Sequence, residues 1–98
     1  MILYEVTLQA EPQLAAAVEQ YMREQHIPEI FATGCFRRIR FSHAAANRFR
    51  TSYQADGQGD LDRYLREHAA HFRAAFLSRF PEGVTLTRET WVQREIWS

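Results

Sequence analysis

Ninety-eight residues suffice for one domain and not two, and a chain this short buries only about two thirds of its unfolded surface. Formal net charge is zero, from 12 basic and 12 acidic residues, which removes any global pull toward nucleic acid or an anionic membrane. The 46% apolar and 13% aromatic content excludes a disordered chain, and no stretch approaches the roughly 20 apolar residues of a membrane span.

Residues 2–9 alternate. Ile2, Tyr4, Val6 and Leu8 share one face and Leu3, Glu5, Thr7 and Gln9 the other, which predicts a half-buried strand. Pro12 suits a first helical turn. Leu14, Val18, Tyr21, Met22 and Gln25 follow helical spacing, with Ala15, Ala16 and Ala17 supplying propensity. Pro28 lacks an amide hydrogen and pushes Ile27 toward extended geometry, so this helix is expected to end near His26. Residues 29–33 are a short connection, and Gly34 gives the chain freedom to reverse.

Residues 35–43 and 47–55 read as a strand pair around Ala44-Ala45-Ala46. Asp56-Gly57-Gln58-Gly59 is a loop. Asp60 is expected to cap a second helix, with Asp62 favouring its positive end. That helix carries Leu61, Tyr64, Leu65, His68, Ala69, Phe72, Phe76 and Phe80 on one stripe and stops at Pro81-Glu82-Gly83. Residues 84–97 are expected to form a long last strand. Val84 and Leu86 face one way, and Thr85, Thr87, Glu89 and Trp91 the other.

Strand–helix–strand–strand–helix–strand is the split βαβ plan, an α+β fold. Two helices cover one face of a four-stranded antiparallel sheet, and the first and third strands are central. The helix-side face would hold Ile2, Tyr4, Val6, Leu8, Ile39, Phe41, Phe49, Tyr53, Val84 and Leu86. The opposite face would hold Leu3, Glu5, Thr7, Phe36, Arg38, Arg40, Arg48, Arg50, Glu89 and Trp91. Four arginines on one face of a strand pair repel unless something neutralises them. Carboxylates of this chain, of a partner, or a bound anion could do so, and a solvated sheet face is the plain alternative. All twelve basic residues are Arg. Bidentate anion recognition is one reading of that bias, and codon composition is the other.

Specific elements carry a resemblance: Met1-Ile2-Leu3-Tyr4 at the start, His26-Ile27-Pro28, Thr33-Gly34-Cys35-Phe36, and Leu61-Asp62-Arg63-Tyr64-Leu65 in the second helix. With them the chain resembles a small, uncharacterised bacterial family, a domain of unknown function in the ferredoxin-like, dimeric α/β-barrel group. The resemblance implies a ferredoxin-like βαββαβ domain over residues 1–98 and a homodimer whose sheets pack through the helix-free face. Leu3, Phe36 and Trp91 would form the seam. Arg38, Arg40, Arg48 and Arg50 would line an enclosed cavity and hold a small anionic molecule by bidentate hydrogen bonds. None of the quoted elements is a catalytic signature, and the short alanine hairpin puts any function of that loop in doubt.

Other candidates are weaker. His26 reads as a general base at the rim of the cavity or as a helix-terminal residue meeting free carbonyls. His68 and His71 have a spacing that permits two metal ligands, but no third is placed, and His68 falls on the apolar stripe. Cys35, the only cysteine, cannot form an internal disulfide and reads as a buried thiol rather than a nucleophile. No glycine loop has phosphate-binding spacing, so no cofactor and no metal is expected.

The expected protein is a cytoplasmic homodimer binding a small anionic molecule between the sheets. The alternatives are a small cofactor-independent enzyme of monooxygenase or isomerase type, using His26, and a protein-interaction module pairing through the last strand and Trp97.

Overall fold

The computed structural model describes residues 1–98. Strand β1 runs Ile2–Ala10, β2 Arg38–Ala44, β3 Arg48–Ala55 and β4 Val84–Val92. All pairings are antiparallel, in the order β2-β3-β1-β4. The alternation of β1 sets the register. Tyr4 lies opposite Tyr53 and Thr90, and Leu8 opposite Phe49 and Leu86. Apolar residues of neighbouring strands therefore share the face that the helices cover.

The sheet is open. β2 and β4 are its free edges, and it does not close into a barrel. This corrects the expected dimeric α/β barrel. β2 and β4 lie at opposite edges and each pairs along one side only, so no strand pairing joins the two ends of the sheet. The ferredoxin-like order and the helices on one face stand.

The first helical region departs from expectation. A 3₁₀ turn, Pro12–Leu14, leads into α1, Ala15–Tyr21. The chain then makes a π-helical turn, Met22–His26, and continues as α2, Ile27–Phe31. Pro28 therefore does not stop the helix. In α geometry its ring would press on the carbonyl of Glu24 and no amide could bond there. The wider turn, in which the Ile27 amide donates to the Met22 carbonyl five residues back, shifts that carbonyl and lets the helix pass.

The second helix is two: α3, Gln58–Glu67, and α4, Ala69–Arg79, broken at His68 with φ −128° and ψ −33°. Its N-cap is Gly57, not Asp60, which sits in the first turn instead. The hairpin turn is Ala45-Ala46-Asn47, with Ala46 and Asn47 in left-handed geometry. The last strand ends at Val92, so Trp97 lies beyond it and is 83% exposed.

Two apolar clusters fill the space between sheet and helices. One joins Ile2, Tyr4 and Tyr53 to Tyr64 and Phe72, and the other joins Leu8 and Phe49 to Val18, Met22 and Phe76. Fully burying a side chain such as Leu8 or Phe49 stabilises by about 1.5–3 kcal/mol. Phe36 belongs to the first cluster, 5.2 Å from Tyr53 and 4.9 Å from Tyr64 between ring centroids. It is therefore not on the helix-free face and cannot serve as a seam there. β2 begins only at Arg38, and the chain before it is free to turn Phe36 inward.

Candidate functional site

The π turn decides where His26 goes. One extra residue in the turn rotates the helix relative to regular α geometry, and the imidazole ends inside the protein instead of at a helix terminus. It meets Tyr21 at 5.6 Å, Phe72 at 6.0 Å and Phe76 at 5.7 Å between ring centroids. Nδ1 is sealed from solvent and has no hydrogen-bond partner. Burial lowers the His26 pKa from 6.5 to about 4, because the aromatic wall cannot solvate an imidazolium. At neutral pH the ring is uncharged.

His26 lines a cavity of about 300 Å³ between the helix-side face of the sheet and the helices. Tyr4, Val6 and Leu8 of β1 form its floor, and Phe72 and Phe76 of α4 form a wall. Leu77, Arg73 and Arg88 are exposed lining residues and mark its mouth between α4 and β4. Arg88 lies opposite Val6, on the same side of β4 as Leu86.

The polar groups facing this space can all donate hydrogen bonds. They are the hydroxyls of Tyr4, Tyr53 and Tyr64, the His26 imidazole, and the two guanidinium groups. No carboxylate lines it. Burial raises the phenols of Tyr53 and Tyr64 above their usual range, with Tyr64 and Tyr4 adding to the effect at Tyr53 and Tyr4 adding to it at Tyr64, so they remain protonated donors. Arg73 Nη2 donates to the Tyr4 hydroxyl at 3.2 Å. A space with apolar walls and only donors suits a ligand that brings acceptors.

The four arginines predicted from sequence share one face of the β2–β3 pair but are staggered along it, none directly opposite another. Arg40 lies opposite Ser52, Arg50 opposite Ser42, Arg38 opposite Gln54 and Arg48 opposite Ala44. All four are exposed on the helix-free face, and none makes an ion pair within the chain. Glu5 and Glu89 face each other on the β1–β4 half of that same face. The cavity is on the other side of the sheet.

Of the remaining candidates, Cys35 is buried with a free thiol, and Arg37 beside it pairs with Asp56 at 2.9 Å. His43 stacks on Phe49 at 5.0 Å. His68 occupies the break between α3 and α4, and no group of three or more His, Cys, Asp or Glu side chains comes together. No helix is long and apolar enough to cross a membrane.

Sequence reasoning missed Arg73, Arg88 and the tyrosines as site residues. Arg88 was within reach. Val84 and Leu86 already defined the inward parity of β4, and Arg88 continues it. The tyrosines carry no such signal, since an aromatic residue on an inward face reads first as core.

The family model described as a domain of unknown function (DUF4286) matches residues 1–93. No curated protein sequence matches the chain. Among solved structures, the chain is similar to a putative antibiotic biosynthesis monooxygenase from Deinococcus radiodurans, with a TM-score of 0.73, 18% identity, and coverage of 100% of this chain and 97% of that one. It is also similar to an ethyl tert-butyl ether d (EthD) family protein from Bacillus halodurans C-125, with a TM-score of 0.67, 13% identity, and coverage of 91% and 97%. A third is a dimeric ferredoxin-like protein from an uncultured marine organism, with a TM-score of 0.61, 10% identity, and coverage of 98% of each chain. At these identities the likeness is one of fold.

Proposed function

We propose that this chain, which belongs to the DUF4286 family, binds a small, largely apolar anionic molecule in the cavity between its sheet and its helices. One observation carries the reading: the cavity is walled by aromatic and aliphatic side chains, and its polar groups are donors with no carboxylate among them. The apolar body of the ligand rests against Tyr4, Phe72 and Phe76. Its acidic group sits at the mouth, where Arg73 on α4 and Arg88 on β4 supply charge-assisted hydrogen bonds.

The test uses 2-naphthoate as probe, followed by calorimetry. Binding is expected in the wild type. The double variant Arg73→Gln, Arg88→Gln should weaken it at least about tenfold, the loss expected when charge-assisted bonds go. Leu77→Trp, an exposed position at the mouth, should block entry. Binding unaffected by both variants would remove the cavity as the site.

A second reading, a small cofactor-independent enzyme of monooxygenase or isomerase type, rests on His26. An uncharged imidazole N–H can stabilise the enolate oxygen left when the proton of an acidic substrate C–H bond passes to solvent water at the mouth. One fold relative is a putative antibiotic biosynthesis monooxygenase, and the assay follows from it: oxygen uptake with a ketone bearing an acidic C–H bond, lost in His26→Phe.

We also propose that two copies associate through their helix-free faces. The β2–β3 half of that face carries Arg38, Arg40, Arg48 and Arg50, and the β1–β4 half carries Glu5 and Glu89. A two-fold axis would lay each half on its complement. Trp91, 51% exposed beside Leu3, would supply apolar contact.

A further inference from the structure

We infer that His26 is a ligand-binding hydrogen-bond donor through Nε2–H, and that the natural ligand carries a carbonyl or enolate oxygen at its inner end. The inference rests on the cavity reading above and deepens it. The geometry supplies the argument. His26 has two ring nitrogens, and Nδ1 is sealed inside the protein without a partner. Nε2 makes no hydrogen bond within the chain either, yet it is not among the sealed polar atoms. Since the ring lines the cavity, Nε2 is the nitrogen that a bound molecule can reach.

The uncharged ring holds one proton, and its position follows from cost. A buried N–H without an acceptor is rarer in proteins than a buried acceptor without a donor. Placing the proton on Nδ1 would strand a donor where nothing can receive it. Placing it on Nε2 strands only a lone pair and turns the N–H toward the cavity. His26 therefore offers a donor and cannot accept a proton at Nε2 while this tautomer holds. Its partner on the ligand must be an acceptor. Tyr53, a buried lining residue on the sheet side with its phenol held protonated, adds a hydroxyl donor to the same cavity. With the guanidinium groups at the mouth, the ligand is assigned to the class of rigid, mostly apolar acids with a carbonyl or enolate oxygen away from the carboxylate.

Two probes of one shape test this: 6-acetyl-2-naphthoate, which has the inner oxygen, and 6-isopropyl-2-naphthoate, which lacks it. In the wild type the acetyl probe should bind about tenfold tighter, as one hydrogen bond allows. In His26→Phe, whose ring suits the aromatic cage, the two affinities should become equal. Equal binding of both probes by the wild type would overturn the inference and leave the cavity reading intact. Failure of both probes to bind would overturn both. Nitrogen-15 NMR of the unliganded wild type gives a reading independent of the variant's folding. Nδ1 should have the shift of an unprotonated nitrogen at pH 7 and Nε2 that of a protonated one. The reverse assignment would overturn the inference.

Discussion

At the scale of single residues, His26 couples the cavity to stability. Its folded pKa is about 4 against 6.5 for the unmodified group, and the cause is burial, with no charged side chain contributing. The unfolded chain thus takes up a proton between pH 6.5 and 4 that the folded chain refuses. Stability from this group is complete above pH 6.5, falls as pH drops through that window, and levels off below 4. A shift of this size corresponds to about 3 kcal/mol. Urea unfolding at pH 7 and pH 4 should show the wild type losing about that much more than His26→Phe. An equal loss in both would mean that the imidazole is not buried as described. Thr51 is a simpler case. It is fully buried on β3 beside Tyr53, and its hydroxyl has no hydrogen bond of ordinary geometry. Thr51→Val should therefore leave stability unchanged or raise it by up to about 1 kcal/mol, measured as the urea midpoint. The sequence singled out His26 as a candidate for chemistry but put it at a helix end. Its true setting depends on contacts with Phe72 and Phe76, about fifty residues away, which no local pattern records.

At the scale of elements, strict alternation in β1 and β3 made the two sheet faces readable, because a one-residue slip would have turned every apolar side chain outward, and the strand order was read from the sequence of strands and helices. Helix ends were less readable. Pro28 is a strong stop signal in isolation, and only the cost of abandoning the packing of Ile27 and Ile30 explains why the chain widens one turn instead of ending the helix. The break at His68 has no proline or glycine to announce it. The turns follow more local rules, and two glycines make a controlled comparison. Gly34 and Gly83 both have positive φ, at +76° and +85°. A Cβ at Gly34 would meet nothing within 4 Å, whereas one at Gly83 would lie 2.5 Å from Leu14 Cδ1. Gly34→Ala should cost about 1 kcal/mol, from backbone geometry alone. Gly83→Ala should cost more, up to about 2 kcal/mol, because the ends of the half-buried Leu14 and exposed Glu11 side chains must also swing aside. Thermal unfolding of the two variants side by side checks the difference, and equal losses would contradict the close approach of this turn to the first helical region.

For the whole molecule, the question is what covers the helix-free face. An open four-stranded sheet leaves β1 and β3 half-wrapped, and this side mixes Leu3 and Trp91 with six charged side chains on opposite halves. Within one chain the arginines have no ion-pair partner, and Glu5 faces Glu89 across the β1–β4 pair, where like charges repel. A second copy, turned by a two-fold axis, relieves both strains at once. Light scattering across a dilution series should give the mass of a dimer for the wild type, with association weakening as salt is raised. Reversing Arg38, Arg40, Arg48 and Arg50 to Glu should produce monomers, since both halves of the face would then be acidic. Adding Glu5→Arg and Glu89→Arg to that variant should restore the dimer, because the pattern is then inverted but still self-complementary. Restoration is the decisive outcome. Loss of the dimer without rescue would trace association to contacts other than these charges, and a monomeric wild type would leave the face to water and the cavity on the other side of the sheet as a site complete within one chain.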